Sequence, residues 1–165
     1  MINSYEIIEV PEKEIVVSPD ISILIGKPNK SFFSQYVNQV DNDFFEPLSN
    51  RVDIDSYADK INKLSTTFVL FYKGDVAGLI ASYFYDISSL KGFITLVHIK
   101  DEFRRIHLSE YLVSATQSYA KSLNFLYIDL MVFKQNLSAY NLYKKCGFLV
   151  INEFDEKYLM RWSNL

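Results

Sequence analysis

Residues Val132–Phe148, VFKQNLSAYNLYKKCGF, pass from strand to helix to turn within one short stretch. Val132 and Phe133 close a β-rich run, and Asn136 is a residue type that caps a helix by accepting from a backbone N–H two or three positions on. Ala139, Leu142 and Tyr143 then recur at helical spacing, and the helix is expected to run through Cys146. Lys144 and Lys145 fall in its last turn, where cations suit the carbonyl end of the dipole, and Gly147 stands just beyond. Asn136 and Tyr143 are separated by about two turns, so both side chains project from one face.

Upstream of this stretch, FLYIDLMVF is nearly continuous in apolar residues and reads as a central strand covered on both faces. Before it comes FRRIHLSEYL (Phe103–Leu112), two arginines followed by the first turn of an amphipathic helix that is expected to bury Leu108, Tyr111, Leu112, Ala115 and Leu123. Glu110, Gln117 and Lys121 fall on the opposite, polar face. GFITLVHIK supplies a strand, and TTFVLFYKGDVAGLIASYFYD is a hairpin that turns through Lys73, Gly74 and Asp75. SFFSQYVNQVDNDFF and DIDSYADKINKL carry apolar residues at helical spacing, while EIIEV and EIVVS read as two short N-terminal strands. Downstream, FLVINEF and KYLMRW end the chain as two strands. The expected order is two strands, two helices, three strands, helix, strand, helix, two strands.

With 165 residues, 49% of them hydrophobic and 22% charged, the chain suits one domain spanning 1–165. A formal net charge of −3 without a basic block argues against a nucleic-acid partner. The N-terminal stretch carries Glu6, Glu9, Glu12 and Glu14 where a signal peptide needs a positive start, and no segment has the apolar length of a membrane span. A soluble cytoplasmic protein without membrane partners is expected. Cys146 is the only cysteine, so no internal disulfide forms, and no Cys/His cluster has zinc spacing; no metal is expected.

Val132–Phe148 matches the pattern V-x-x-x-N-x-x-A-x-x-L-Y-x-K-x-G-F at every specified position. On these residues the chain resembles the GNAT superfamily of acyl-CoA-dependent N-acyltransferases, and the element order fits that fold over essentially its full length. The resemblance implies an α/β (α+β) fold with a mixed, mostly antiparallel central sheet flanked by helices on both faces. A second stretch, VHIKDEFRRIHLS, is similar to the superfamily's V-x-P-x-[YF]-R-x-x-G-x-[GA]. Ile99, Phe103 and Arg104 fit it, whereas Asp101 replaces the proline and His107 and Ser109 replace the two small residues.

A loop that runs from a strand into a helix can hold a pyrophosphate on free backbone N–H groups. By resemblance this elbow is the coenzyme A site. The donors would be the amides of Arg105, Ile106, His107, Leu108, Ser109 and Glu110, with Arg104 and Arg105 adding charge. The bulk of His107 and the Cβ of Ser109 are expected to crowd the phosphates. The resemblance also implies that backbone groups of Val97 and Ile99 hold the pantetheine of acetyl-CoA, that Asn136 hydrogen-bonds it, and that Tyr143 is the acid for the leaving thiolate. From spacing alone, Tyr143 could equally be a core tyrosine and Asn136 only a cap.

His98, Asp86, Asp129 and Tyr85 are open candidates for a general base, none of them assigned; strand alternation turns His98 away from the face of Val97 and Ile99. The acceptor pocket would come from NDFFEPLSNRVDIDSYADK, with Phe44, Phe45, Glu46, Arg51 and Asp53, and the favoured partner is a small-molecule amine such as an amino sugar. A protein N-terminus or lysine, or a catalytically silent acyl-CoA-binding or scaffold domain, is the alternative. The final strands could pair two copies into a homodimer.

Overall fold

The strand that ends in Val132 and Phe133 is β6 (Tyr127–Phe133), and it lies well inside an eight-stranded sheet of order β1-β2-β3-β4-β5-β6-β8-β7. The computed structural model describes residues 4–165. A four-residue helix α1 (Ser4–Ile7) leads into β1 (Ile8–Ser18) and β2 (Ile21–Pro28), followed by α2 (Lys30–Val40) and α3 (Ile54–Leu64). Three antiparallel strands follow, β3 (Thr66–Tyr72), β4 (Asp75–Tyr83) and β5 (Lys91–Ile99). The chain ends with α4 (Leu108–Ser122), β6, α5 (Leu137–Lys145), β7 (Leu149–Glu153) and β8 (Lys157–Ser163). Only the β5–β6 pair is parallel, so the sheet is mixed and mostly antiparallel, as expected.

Helices cover both faces. On one face Leu108, Leu112 and Ala115 of α4 pack with Tyr143 of α5 and with Phe68, Ile80 and Ile128 of the sheet. On the other, Phe33, Tyr36 and Val37 of α2 and Ile61 of α3 pack with Val69, Leu79 and Leu96. Beyond its first residue β4 is buried throughout, because it lies between both layers. Tyr111 and Leu123, expected in the buried stripe of α4, are exposed. Tyr111 lies on the flank of that seam, and Leu123 is the C-cap, past the last helical turn.

The N-terminus departs from the expected strands. EIIEV spans the end of α1 and the start of β1, EIVVS lies inside the same long β1, and the unrecognised stretch ISILIGKP is β2. Pro11 makes β1 look interrupted in sequence. It is tolerated because β1 is the edge strand and its register shifts between Ile8 and Val10 and between Pro11 and Lys13. Gly26 of β2 sits under this irregular stretch. A Cβ there would clash with the Val10 carbonyl oxygen and lie 2.9 Å from Pro11 Cα. Among the described residues no helix is long and apolar enough to cross a membrane.

Gly26→Ala should therefore cost about 2 kcal/mol by overpacking against backbone, read in thermal unfolding as a Tm lower by about 4–8 °C. Gly74→Ala, with open space around the new Cβ but a φ of +85°, should lose about 1–2 kcal/mol by backbone strain with no overpacking.

Candidate active site

Pairing between β5 and β6 is brief, from Lys91↔Tyr127 to Ile94↔Leu130. Beyond it β5 stays with β4, and β6 stays with β8 as far as Phe133↔Lys157. The β4–β5 register steps from Ala81↔Leu96 to Ser82↔Ile94, so Thr95 is an extra residue, a bulge that bends β5 where the strands part. The Thr95 hydroxyl lies 3.0 Å from Tyr57 Oη of α3. β6 is held to β8 at the same level by Asp129, which accepts from Arg161 Nε at 2.7 Å and Nη2 at 2.9 Å.

Lys100 N–H donates to the Ala77 carbonyl at 2.8 Å. The two-residue alternation of an antiparallel ladder therefore gives His98 and Lys100 to β4 and turns the amides and carbonyls of Val97 and Ile99 toward the gap. The gap holds a cavity of about 250 Å³ that Val97, Asn136 and Tyr143 line from the sheet and α5, and Phe44, Glu46 and Arg51 from the α2–α3 connection. The structure thus brings Tyr143 and Asn136 to one cleft. Asn136 is also the N-cap of α5, its Oδ1 accepting from Ala139 N–H at 3.3 Å, so the cap engages one end of the amide only. Tyr143 is buried, its hydroxyl has no hydrogen-bond partner among the described residues, and burial pushes its pKa well above the usual tyrosine value. Such a phenol stays protonated and can donate.

The elbow that enters α4 differs from the other helix starts. Side chains cap α2 (Asn29), α3 (Asp53) and α5 (Asn136), but α4 has none. No acceptor among the described residues takes the N–H of any residue from Arg105 to Glu110. Arg105 and His107 hold left-handed conformations, φ +69° and +61°. The glycine that the family pattern places at 107 is thus matched by the backbone conformation, while the imidazole itself is 76% exposed, beside Glu110 at 3.4 Å. Arg104 is committed within the loop, its Nε donating to the Ile99 carbonyl at 3.0 Å and its Nη1 lying 3.5 Å from Asp101. The bond to Ile99 also engages one backbone group expected to be free for pantetheine. Glu110 bonds Lys145 of α5 at 2.7 Å, which lowers its pKa.

A model of the acetyltransferase (GNAT) family matches residues 34–148. The chain belongs to this family. It is thereby an acetyl-CoA-dependent N-acyltransferase. A search of curated proteins gave no match. Among solved structures it is similar to PaiA N-acetyltransferase from Thermoplasma acidophilum, which was solved with coenzyme A, at 16% identity, TM-score 0.67, covering 86% of this chain and 98% of that one. A dodecameric spermidine N-acetyltransferase from Vibrio cholerae aligns at 18% identity, TM-score 0.66, over 86% and 93%. The ribosomal-protein-S18-alanine N-acetyltransferase of Escherichia coli aligns at 14% identity, TM-score 0.69, over 86% and 93%. At these identities the likeness is one of fold.

Within this GNAT fold none of the four sequence candidates for a base lines the cleft. Asp129 is engaged by Arg161, Asp86 holds Ser88 and Ser89 in a turn, and Tyr85 is exposed against Tyr83. His98 faces away from the gap and is sealed between Tyr36 and Asp43. Asp53 serves as the α3 cap. Sequence reasoning missed Thr95, Met131, Phe133 and Lys157, which also line the cleft. Phe133 stacks on Phe45 with centroids 5.1 Å apart, and Lys157 Nζ lies 4.5 Å from the Phe133 ring centre. For Phe133 the available signal was its place just before the cap Asn136; nothing in the residue types announces the bulge at Thr95.

The left-handed conformation at position 107 is worth about 1–2 kcal/mol against a side chain, offset by about 0.5–1 kcal/mol of glycine chain entropy. Unfolding of His107→Gly should show stability unchanged or slightly raised. Ser109→Gly, inside α4, should lose about 0.5 kcal/mol because helical glycine gains no such relief.

Proposed function

We propose that the protein transfers the acetyl group of acetyl-CoA to the primary amine of a small molecule, an amino sugar being one acceptor that fits, by direct attack in a ternary complex. The observation that carries this reading is Tyr143, a buried residue whose unpartnered hydroxyl reaches the cleft that opens where β5 and β6 part. The unpartnered amides from Arg105 to Glu110 suit a pyrophosphate, and Arg105 adds a positive charge beside them. Val97 and the Ile99 N–H present a strand edge to the pantetheine arm, and the Asn136 side-chain N–H donates to it. This is the pairing of an extended ligand with an open sheet edge.

On the acceptor side, Glu46 is the one carboxylate among the described residues of the cleft lining, and it draws an ammonium group in. Arg51, 3.8 Å from Glu46, and Lys157 disfavour a second positive charge nearby and so push the acceptor toward the free amine that attacks. The nitrogen attacks the thioester carbonyl and the carbon–sulfur bond breaks; Tyr143 gives its proton to the departing thiolate, and the proton that the nitrogen releases on becoming an amide passes to water, from which the phenol is restored. Phe44, Phe45 and Phe133 narrow a cleft of about 250 Å³, which favours a small acceptor over a protein segment. We further propose that residues 1–165 act as one cytoplasmic domain, and that two copies pair through β7, an edge strand exposed at every position.

Tyr143→Phe should lower kcat by about 10²–10⁴-fold, the range of a general acid, with acetyl-CoA affinity, read from the ligand-induced rise in Tm, unchanged. The rate of the unaltered enzyme should not fall up to about pH 10, the ordinary tyrosine value, because a raised pKa keeps the acid form present to higher pH. An equal loss of turnover and acetyl-CoA affinity in Tyr143→Phe would exclude the acid role.

Asn136→Asp separates cap from ligand contact. The carboxylate still caps α5, so Tm without ligand should hold, whereas the donor to pantetheine is gone and the dissociation constant of acetyl-CoA should rise about tenfold, the loss of one hydrogen bond of about 1.4 kcal/mol.

A further inference from the structure

His98 lies on β5 between Val97 and Ile99 but faces the opposite layer, with a side chain 2% exposed. Both ring nitrogens have partners: Nδ1 is 2.7 Å from Tyr36 Oη of α2, and Nε2 is 3.2 Å from Asp43 Oδ2. A carboxylate only accepts, so the Nε2 proton is donated to Asp43, and Nδ1 is left with the lone pair that accepts the Tyr36 hydroxyl. One arrangement of protons satisfies all three groups. Burial lowers the pKa of His98 to about 4 against the opposing pull of Asp43, with Arg104 and Lys100 adding to the lowering, so the imidazole is neutral at ordinary pH. The Tyr36 phenol is likewise pushed up by burial and by Asp43 and Glu102, and the Lys100 ammonium lies 5.5 Å from its ring centre.

This chain of three groups matters because Asp43 leads directly into the cleft wall. Phe44, Phe45 and Glu46 form the acceptor side of the cleft, on a connection without regular structure between two short 3-10 turns. The other polar bonds of residues 41–51 stay inside that connection: Asp41 accepts from Ser49, and Glu46 pairs with Arg51. Among the hydrogen bonds and ion pairs of the described residues, Asp43–His98 is the one that ties this connection to the sheet. The Phe44 ring packs on the imidazole with centroids 5.1 Å apart, so the same side chain also sets the position of the wall.

We infer that His98 is a positioning residue: in its Nε2-protonated form it bridges Asp43 and Tyr36 and so fixes the Phe44–Glu46 wall against β5, the strand whose edge is proposed above to take the pantetheine arm. The inference rests on the reading of this cleft as the acetyl-transfer site. It assigns no proton transfer to His98, whose nitrogens are both engaged on the far side of the sheet.

The test compares the unaltered protein with Asp43→Asn, Tyr36→Phe and His98→Gln. The amide introduced by Asp43→Asn can offer an N–H where the carboxylate accepted, which favours the wrong imidazole tautomer; the amide introduced by His98→Gln keeps a donor toward Asp43 and should rescue in part. Imidazole ¹⁵N spectra of the unaltered protein should show neutral, Nε2-protonated His98 from pH 6 to 8, and Asp43→Asn should change that pattern. Backbone ¹⁵N order parameters at Phe44, Phe45 and Glu46 should fall to below about 0.6, the flexible range, in Asp43→Asn, with α5 amides unaffected. With an active amine, KM for the acceptor should rise about tenfold in Asp43→Asn and Tyr36→Phe and less in His98→Gln, at unchanged acetyl-CoA affinity. Unchanged order parameters in the wall, an Nδ1-protonated imidazole, or equal loss of acceptor and acetyl-CoA affinity would overturn the inference. If the unaltered protein transfers acetyl to no amine, the functional proposal fails, and the order-parameter and tautomer measurements still decide whether His98 anchors the wall.

Discussion

Past Ile94 and Leu130 two neighbouring strands stop sharing hydrogen bonds, and the rest of the site depends on that parting. A parallel pair inside a sheet ordinarily keeps its ladder, because buried N–H and C=O groups left without partners are costly. Here β5 is drawn aside by its bulge at Thr95 while β6 is held to β8 through Asp129 and Arg161. The opened edge keeps its backbone donors and acceptors, and apart from the Ile99 carbonyl, which Arg104 engages, they are left to water or an extended ligand. A binding strand for a pantetheine-like chain is thus made by withholding a partner, without any dedicated charged side chain.

The two layers of helices divide the work around this gap. On the α4 and α5 side stand an uncapped helix start with its amides free, the Asn136 cap and the buried Tyr143. On the α2 and α3 side stand the aromatic and charged wall from Phe44 to Arg51 and, behind it, the His98 chain. Burial raises the Tyr143 phenol and lowers the His98 imidazole, and in each case the neutral form is favoured. The consequences differ because of hydrogen bonding. Tyr143 has a proton and no partner, which suits donation; His98 has two partners and no free lone pair, which suits anchoring.

The helix from Asn136 to Lys145 was legible because its cap, its cationic last turn and Gly147 are local, and local signals survive any tertiary context. The hairpin through Gly74 was legible for the same reason. The N-terminus misled because Pro11 usually ends a strand, and whether it does depends on lying at a sheet edge, a fact of the whole sheet. The exposure of Tyr111 and Leu123 follows from the place of Tyr111 beside the buried seam of α4 and of Leu123 past its last turn.

By itself the sequence determined the order of the elements from α2 onward, the family, and the pairing of Asn136 with Tyr143 on one helical face, since each of these is written in spacing and residue type. The tertiary structure alone decided that Arg104 is spent on Ile99 and Asp101, that Asp129 is locked to Arg161, that none of the four open candidates for a base lines the cleft, and that His98 ties the acceptor wall to β5. These are contacts between residues far apart in the chain. They exist only where strands part and layers meet, and a hydrogen bond between distant residues leaves no periodicity in the sequence to read.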